Sequence, residues 1–246
     1  METALGYEQE LKSHIEQERA AVKLSSIVGE LLYDKGIELV FFRNHLNDIT
    51  VSQVLKLHVY SKSVVNKPVD IFTSAQLAQE LLEMDLAPSK LDIGKLASEW
   101  LNEQSTYASK QDFLKDKLAK FDESNAIPFK PRDVVLYGFG RIGRLAAREL
   151  IKQAGKGQQL RLRAIVTRGN TEAELEKRAS LLKNDSVHGA FDGTVTVDFE
   201  NAALIINGHT VKMIAAKKPE DIDYTSYGIE NALIIDNAGV FTNREA

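Results

Sequence analysis

The residues best suited to chemistry form a glycine-rich segment at 138–143 with the pattern G-x-G-x-x-G. An apolar run at 134–137 precedes it and an amphipathic stretch follows, which predicts a buried strand, a tight turn and the start of a helix. In such a turn Gly138 lets the chain bend, Gly140 removes the Cβ that would block a pyrophosphate, and Gly143 allows close contact between helix and strand. The first NH groups of a helix beginning near Arg141 have no acceptor within the helix, so they can bind an anion. The pattern therefore predicts a dinucleotide-binding site built from main-chain donors.

Three segments, in this order, resemble the phosphorylating glyceraldehyde-3-phosphate dehydrogenase family. The glycine-rich segment, extended to Arg144, resembles the opening of the family's nucleotide-binding domain, the segment at 184–189 resembles its D-S-x-H-G, and the segment at 238–242 resembles its T-G-V-F-T. The resemblance covers roughly 133–246 and implies a Rossmann-type domain with NAD or NADP as cofactor. The residues that it places at the cofactor are Gly138, Phe139, Gly140, Arg141, Ile142, Gly143, Thr167, Arg168, Lys217, Gly239 and Phe241.

The resemblance also implies a reaction: an aldehyde, phosphate and NAD(P) give an acyl phosphate and NAD(P)H, as in glycolysis or gluconeogenesis. Enzymes of this family use a cysteine nucleophile activated by a histidine, both beyond the stretch that matches here, and this chain has no cysteine. A thiolate is needed to attack the aldehyde. We therefore expect a fragment cut off before the catalytic domain, with no catalytic residue of its own and no activity alone. The expected partners of the parent are a triose phosphate and further copies of itself in a homo-oligomer.

Two alternatives stay open at this point. Erythrose-4-phosphate dehydrogenase shares these motifs and would differ in the substrate domain. The other alternative is a non-catalytic NAD(P)-binding or regulatory module, in which the helical first half performs the function.

The choice between the two cofactors depends on the end of the second strand of the nucleotide-binding domain. An acidic residue there accepts hydrogen bonds from the ribose 2′-hydroxyl and repels a 2′-phosphate. Here Thr167 occupies that position and Arg168 follows, an arrangement that permits NADPH alongside NADH. Alternatively, Arg168 simply points to solvent. Lys217 stands where the family has an arginine near the adenine.

The composition of the chain excludes several other classes of protein. A net charge of −4 gives no basic footprint for nucleic acid or an anionic membrane. No apolar run approaches the roughly eighteen residues of a membrane span, and the first twenty residues lack the apolar core of a secretory signal. The lack of cysteine excludes disulfides and thiolate metal sites, and the five histidines show no metal-ligand spacing, so no metal is expected. We expect a cytoplasmic protein.

The two halves of the chain differ in the spacing of their apolar residues. Residues 1–125 are predicted to form an all-helical extension, because apolar residues such as Leu24, Ile27, Val28 and Leu31 follow a helical spacing. Capping boxes are predicted at Thr50 and Thr73, and later helices carry Leu91 with Trp100, and Phe113 with Leu118. Residues 126–132, which contain two prolines, are the predicted linker.

Residues 133–246 alternate predicted strands and helices and include Asn207-Gly208, a strong hairpin signal. This half is predicted to be an incomplete NAD(P)-binding Rossmann domain, with a parallel sheet and a small antiparallel insertion. The predicted fold class is thus α/β, preceded by an all-α domain. Asp185, Ser186 and His188 are too crowded to form a hydrolytic triad, so a structural or interface role is expected for them.

Overall fold

The computed structural model describes residues 2–122, 124, 130–155 and 159–239, with side chains from Gly6 onward. The chain folds as two compact units, Met1–Pro128 and Phe129–Ala246. The boundary between the units falls within the predicted linker, of which residues 126–129 lie outside the described ones. Over the described ranges, no helix combines the length and the apolar character that a membrane crossing requires.

The first unit is mainly helical. Its helices are α1 (Glu2–Glu30), α2 (Val51–Tyr60), α3 (Ile71–Leu82), α4 (Ile93–Glu103) and α5 (Lys110–Leu118). α1 continues as one π-helical turn, Leu31–Lys35, and ends at Gly36, whose φ of 69° is left-handed. The predicted apolar stripe of α1 is buried, with Leu24 and Leu31 fully enclosed, and α1 packs against α2 and α3.

The prediction of an all-helical first half was wrong in one respect, because this unit also contains a small sheet. Its strands are β1 (Glu38–Phe41), β2 (Asn44–His45) and β3 (Lys90–Asp92). They lie in the order β2-β1-β3, and β1 pairs with β3 in parallel. Leu91 therefore lies in a strand and not in the helix of Trp100. A short apolar run has too few residues to show a period, and its pairing partner lies about fifty residues away along the chain.

One predicted helix start is confirmed and another is shifted. At α2, Thr50 and Gln53 form both hydrogen bonds of the predicted capping box. α3 begins earlier than predicted, because the Asp70 carboxylate caps it and accepts from the NH and the hydroxyl of Thr73 at 2.8 and 2.7 Å. Thr73 thus lies in the third helical position, and the aspartate three residues earlier is the stronger acceptor.

The second unit is an α/β Rossmann-type fold, as predicted. Its helices are α6 (Arg141–Lys152) and α7 (Glu172–Lys183). Its strands are β4 (Arg132–Tyr137), β5 (Leu160–Thr167), β6 (Asn184–Asp185), β7 (Gly189–Ala190), β8 (Val195–Asp198), β9 (Ala203–Ile206), β10 (His209–Ala215) and β11 (Leu233–Asp236).

Six of these strands form one sheet in the order β11-β4-β5-β10-β9-β8. The first four are parallel, while β9 and β8 form the antiparallel insertion. Asn207 and Gly208 connect β9 to β10 with φ values of 47° and 81°, so the hairpin prediction is confirmed. Both faces of the sheet are buried, which explains why β4 is continuously apolar and does not alternate: Val134 and Leu136 belong to one core cluster, and Val135 and Tyr137 to the other.

The order of the strands fixes where a ligand can bind. The chain passes from β4 through α6 to β5 on one side, whereas β11 lies on the other side of β4. The strand order therefore reverses between β4 and β11, and the carboxyl ends of these two strands flank a crevice. In open α/β sheets, ligands bind at such a switch point.

Candidate dinucleotide-binding site

The turn after β4 requires a glycine at its first position. Gly138 has a φ of +94°, and a Cβ placed on it would lie 2.8 Å from the backbone N and Cα of Ala238. Its NH donates to the carbonyl of Val166 on β5 at 2.9 Å. The chain can thus bend here only because this residue has no side chain, and the bend brings the β4 turn against residues 237–238 after β11.

The third residue of the segment, Gly140, leaves open space above the start of α6. It is the residue before the first helical turn, and a Cβ placed on it would meet nothing within 4 Å. Since glycine has no side chain to cap the helix, the NH groups of the first turn remain directed at this space. The positive end of the helix dipole lies at the same point, so the arrangement suits a negatively charged group.

Gly143 lets α6 approach the turn. A Cβ placed on it would lie 2.6 Å from the carbonyl oxygen of Gly138 and would also overlap the side chain of Asn237. The three glycines therefore have different roles in the described structure: Gly138 permits the bend, Gly140 leaves a space open, and Gly143 permits the close packing of α6.

A cavity of about 370 Å³ lies at the carboxyl ends of β4, β5 and β11. It gathers six of the residues singled out from the sequence: Gly138, Phe139, Gly140, Thr167, Arg168 and Lys217. Of the other candidates, Arg141 and Ile142 begin α6 with exposed side chains, Gly143 lies behind the turn, and Gly239 is exposed next to Ala238. Phe241 lies outside the described residues.

Tyr137 forms part of the cavity wall. Its hydroxyl donates to the carbonyl oxygen of Lys217 at 2.5 Å, which ties the segment after β10 to the end of β4. Burial raises the pKa of Tyr137, and the neighbouring carboxylates of Glu220, Asp221 and Asp236 act in the same direction. The phenol therefore stays protonated and remains a hydrogen-bond donor.

Asn237 contributes a polar atom at the crevice. Its NH donates to the Tyr137 carbonyl at 2.9 Å and its amide nitrogen to the Ile235 carbonyl at 3.2 Å. Its Oδ1 is buried and accepts no hydrogen bond from the described residues. A buried acceptor is costly unless a donor satisfies it, so this atom fits a site completed by a ligand.

Sequence reasoning missed six residues of the cavity lining, and Arg178 is the charged one among them; the others are Tyr137, Val166, Ala216, Asn237 and Ala238. Arg178 lies on α7, next to the buried positions Leu175, Ala179 and Leu182 of that helix. No motif marks it in the sequence. The only signal is its place on the flank of the apolar face of α7, from which a long side chain can reach the sheet edge.

Comparison with known proteins agrees with this geometry. Residues 132–244 match the family model for the NAD-binding domain of glyceraldehyde 3-phosphate dehydrogenase. The second half of the chain belongs to the glyceraldehyde-3-phosphate dehydrogenase family. It is an NAD-binding domain, which is consistent with NAD or NADP as the cofactor.

Relatives extend the comparison beyond this domain. A glyceraldehyde-3-phosphate dehydrogenase-like protein of Pseudomonas aeruginosa is 39% identical over 222 residues, which are 89% of this chain and 48% of that protein. Because 222 residues are more than the second unit holds, this similarity extends into the first unit. The chain spans about half the length of that relative.

Other relatives match the second half alone. The glyceraldehyde-3-phosphate dehydrogenase of Monascus purpureus is 37% identical over 112 residues, 46% of this chain and 30% of that enzyme. That of Zymomonas mobilis is 36% identical over the same length and the same shares.

The family-like segment at 184–189 forms a small hairpin, β6–β7, fixed to α6. The buried Asp185 carboxylate accepts from the NH groups of Val187 and His188 at 3.0 Å and lies 3.4 Å from Nη2 of Arg144. The two backbone donors, with further help from the side chains of His188 and Arg144, hold the pKa of Asp185 well below its usual range. The arrangement anchors a loop and contains no aligned nucleophile and base.

Within the residues that the structure describes, no group of three or more histidine and acidic side chains is placed to hold a metal ion. The buried His58 in the first unit instead has hydrogen-bond partners within the protein. Its Nδ1 lies 2.9 Å from the Val54 carbonyl oxygen and its Nε2 lies 3.0 Å from Ser74 Oγ.

Proposed function

We propose that the second unit binds the nicotinamide dinucleotide used by a phosphorylating glyceraldehyde-3-phosphate dehydrogenase. The observation that carries the proposal is the open space above Gly140, at the start of α6 and at the switch point of the sheet. A diphosphate in this space would meet main-chain NH groups and the positive end of a helix. The family match over 132–244 supports the same assignment.

The residues present fit the cofactor in three ways. The NH groups of the first turn of α6 would bind the pyrophosphate, with Gly138, Phe139 and Gly140 shaping the space around it. Thr167 and Arg168 would lie at the adenosine ribose, and Lys217 would lie at the adenine. The free acceptor Asn237 Oδ1 would receive a hydrogen bond from a cofactor group at the crevice.

The cofactor would supply the hydride acceptor for oxidation of an aldehyde. This chain's own residues position that acceptor and no more, because the chain has no cysteine and so no thiol on which a thiohemiacetal could form. For the whole protein, the proposed substrate is a triose phosphate and the proposed role is in glycolysis or gluconeogenesis. The proposal also includes a homo-oligomeric assembly and a cytoplasmic location. Relatives named for this activity support it.

Calorimetric titration of the 246-residue chain with NADH and with NADPH tests the proposal. We expect at least one of them to bind, and Gly140→Val to weaken that binding by at least about tenfold, because the new side chain fills the space of the pyrophosphate. Gly6→Val is the matched control: Gly6 lies on α1 in the other unit and also has nothing within 4 Å. If neither nucleotide binds, or if Gly140→Val leaves the affinity unchanged, the proposal is wrong.

A second measurement tests whether this chain binds the cofactor without catalysing the reaction. We expect no reduction of NAD or NADP when this chain is mixed with glyceraldehyde 3-phosphate and inorganic phosphate. Measurable oxidation of the aldehyde by the chain alone would show that another group on the chain replaces the thiolate.

A further inference from the structure

Two arginines from different elements contribute to the lining of the cavity. Arg168 directly follows β5, and Arg178 lies in the middle of α7, yet both line the same cavity beside Thr167. The side chain of Arg178 is only 17% exposed, so its guanidinium is partly withdrawn from water. A withdrawn guanidinium interacts more strongly with an anion than a fully solvated one does.

The charged side chains that line the cavity are all positive. The described lining contains Arg168, Arg178 and Lys217 but no aspartate or glutamate. At the end of β5, where a carboxylate would select a free 2′-hydroxyl, Thr167 donates its hydroxyl to the carbonyl of Gly169 at 2.7 Å. No described carboxylate of the lining would therefore repel a phosphate at this position.

Glu174, the carboxylate that contacts Arg178, caps the start of α7. Its Oε2 accepts from the NH and the hydroxyl of Thr171, both at 3.0 Å, and these bonds hold the pKa of Glu174 below its usual value. Its Oε1 lies 3.5 Å from Nη2 of Arg178. Glu174 thus restrains Arg178 through one nitrogen, while a guanidinium has five NH donors arranged as a fork.

We infer that Arg168 and Arg178 together bind a phosphate monoester on the adenosine ribose, so that this site selects NADP(H) over NAD(H). A guanidinium fork matches two oxygens of a phosphate, and such charge-assisted pairs are among the strong hydrogen bonds of proteins. Arg168 and Arg178 approach from β5 and α7, so they can contact different oxygens of one phosphate group. The inference rests on the proposed function, since it concerns one end of the same dinucleotide site.

Calorimetry on the 246-residue chain tests the inference through the ratio of the NADH and NADPH dissociation constants. At low ionic strength we expect NADPH to bind about ten- to a hundredfold more tightly than NADH. Arg178→Gln and Arg168→Gln should each reduce this ratio by about tenfold or more, chiefly by weakening NADPH. Raising the salt concentration should reduce the ratio in the wild type, since added ions screen a phosphate contact.

Three further variants test whether the effect is specific to the guanidinium of Arg178. Lys177→Gln removes the same charge from the next residue of α7, which is exposed and outside the cavity, and should leave the ratio unchanged. Arg178→Lys retains the charge but loses the fork, so the ratio should lie between those of the wild type and Arg178→Gln. Glu174→Gln should leave NADH binding almost unchanged if this carboxylate only caps α7.

The outcomes separate this inference from the proposed function. If NADH binds as tightly as NADPH or more tightly, and Gly140→Val abolishes that binding, the arginine pair does not select a phosphate although the site binds dinucleotides. The same conclusion follows if Glu174→Gln weakens NADH strongly, because the carboxylate would then hold the ribose. If neither nucleotide binds, the proposed function fails together with the inference.

Discussion

Gly143 on α6 packs directly against the backbone of Gly138, so closely that a Cβ on Gly143 would lie 2.6 Å from the Gly138 carbonyl oxygen. We predict that Gly143→Ala destabilises the second unit by about 1–3 kcal/mol, because α6 must move away from the turn. Urea denaturation measures the loss. Gly140→Ala is the control, since the added methyl group meets nothing within 4 Å, and it should change stability by less than about 1 kcal/mol. Equal losses in the two variants would contradict the packing argument.

A second prediction concerns Asp92, which joins α4 to the β1–β2 turn. Its carboxylate accepts from the NH groups of Lys95, Phe42 and Arg43 at 3.0, 2.9 and 3.2 Å. The latter two residues have φ values of 45° and 70°, an unfavourable conformation for residues other than glycine. Asp92→Ala should therefore cost more than a helix cap alone, about 2–4 kcal/mol in a urea denaturation of the first unit.

Asp70→Ala is the comparison for Asp92, because Asp70 also caps a helix and its carboxylate accepts hydrogen bonds from Thr73, only three residues away. It should cost about 1 kcal/mol. If Asp70→Ala proves as costly as Asp92→Ala, the carboxylate of Asp92 contributes nothing to the turn.

The third prediction follows from His58, which is buried in the first unit. Burial lowers the pKa of His58 below its ordinary value of about 6.5, although the Val54 carbonyl and the charge of Asp70 act in the opposite direction. The unfolded chain thus binds a proton more readily than the folded one. The stabilisation is complete above about pH 6.5 and is lost as the pH falls towards the folded pKa.

We expect thermal denaturation between about pH 7 and pH 5 to show a falling melting temperature for the first unit. His58→Gln should flatten this dependence, because glutamine does not titrate. His14→Gln, on an exposed part of α1, should leave the dependence as it is. A wild-type melting temperature that stays constant over this range would show that protonation of His58 does not destabilise the first unit.

The fourth prediction concerns Asp185 and the stability of the second unit at acidic pH. The backbone NH groups of His188 and Val187 stabilise the carboxylate, so its folded pKa lies below the unfolded value of about 4. Its contribution is therefore present above about pH 4 and is lost as the pH falls through the folded value. Asp185→Asn should lower the melting temperature of the second unit by several degrees at neutral pH.

That difference between Asp185→Asn and the wild type should shrink as the pH falls below about 4, because the unfolded wild-type chain then binds a proton that the folded carboxylate does not. Thermal scans from about pH 7 down to about pH 2 measure it. Asp192→Asn removes a charge from the loop that follows the same hairpin and should have little effect at any pH. A difference independent of pH would mean that Asp185 acts by its shape and not by its charge.

Much of the second unit could be predicted from consecutive residues. The glycine pattern, the apolar runs and Asn207-Gly208 predicted the strand–turn–helix unit, β5 at 160–167 and the hairpin before β10, because backbone dihedrals and hydrophobic period are local properties. The same holds for the capping box of Thr50 and Gln53, whose two hydrogen bonds span only three residues.

The tertiary structure alone decided which distant residues meet. The pairing of β1 with β3 depends on strands about fifty residues apart, and Asp92 fixes the β1–β2 turn across the same interval. Arg178 joins Thr167 and Arg168 because α7 folds back over the sheet edge. Such contacts result from the packing of whole elements, and the burial of apolar surface that drives this packing has no preferred direction. The local sequence therefore determined the turn that can bind a diphosphate. The packing of the elements decided which positively charged side chains lie beside that turn.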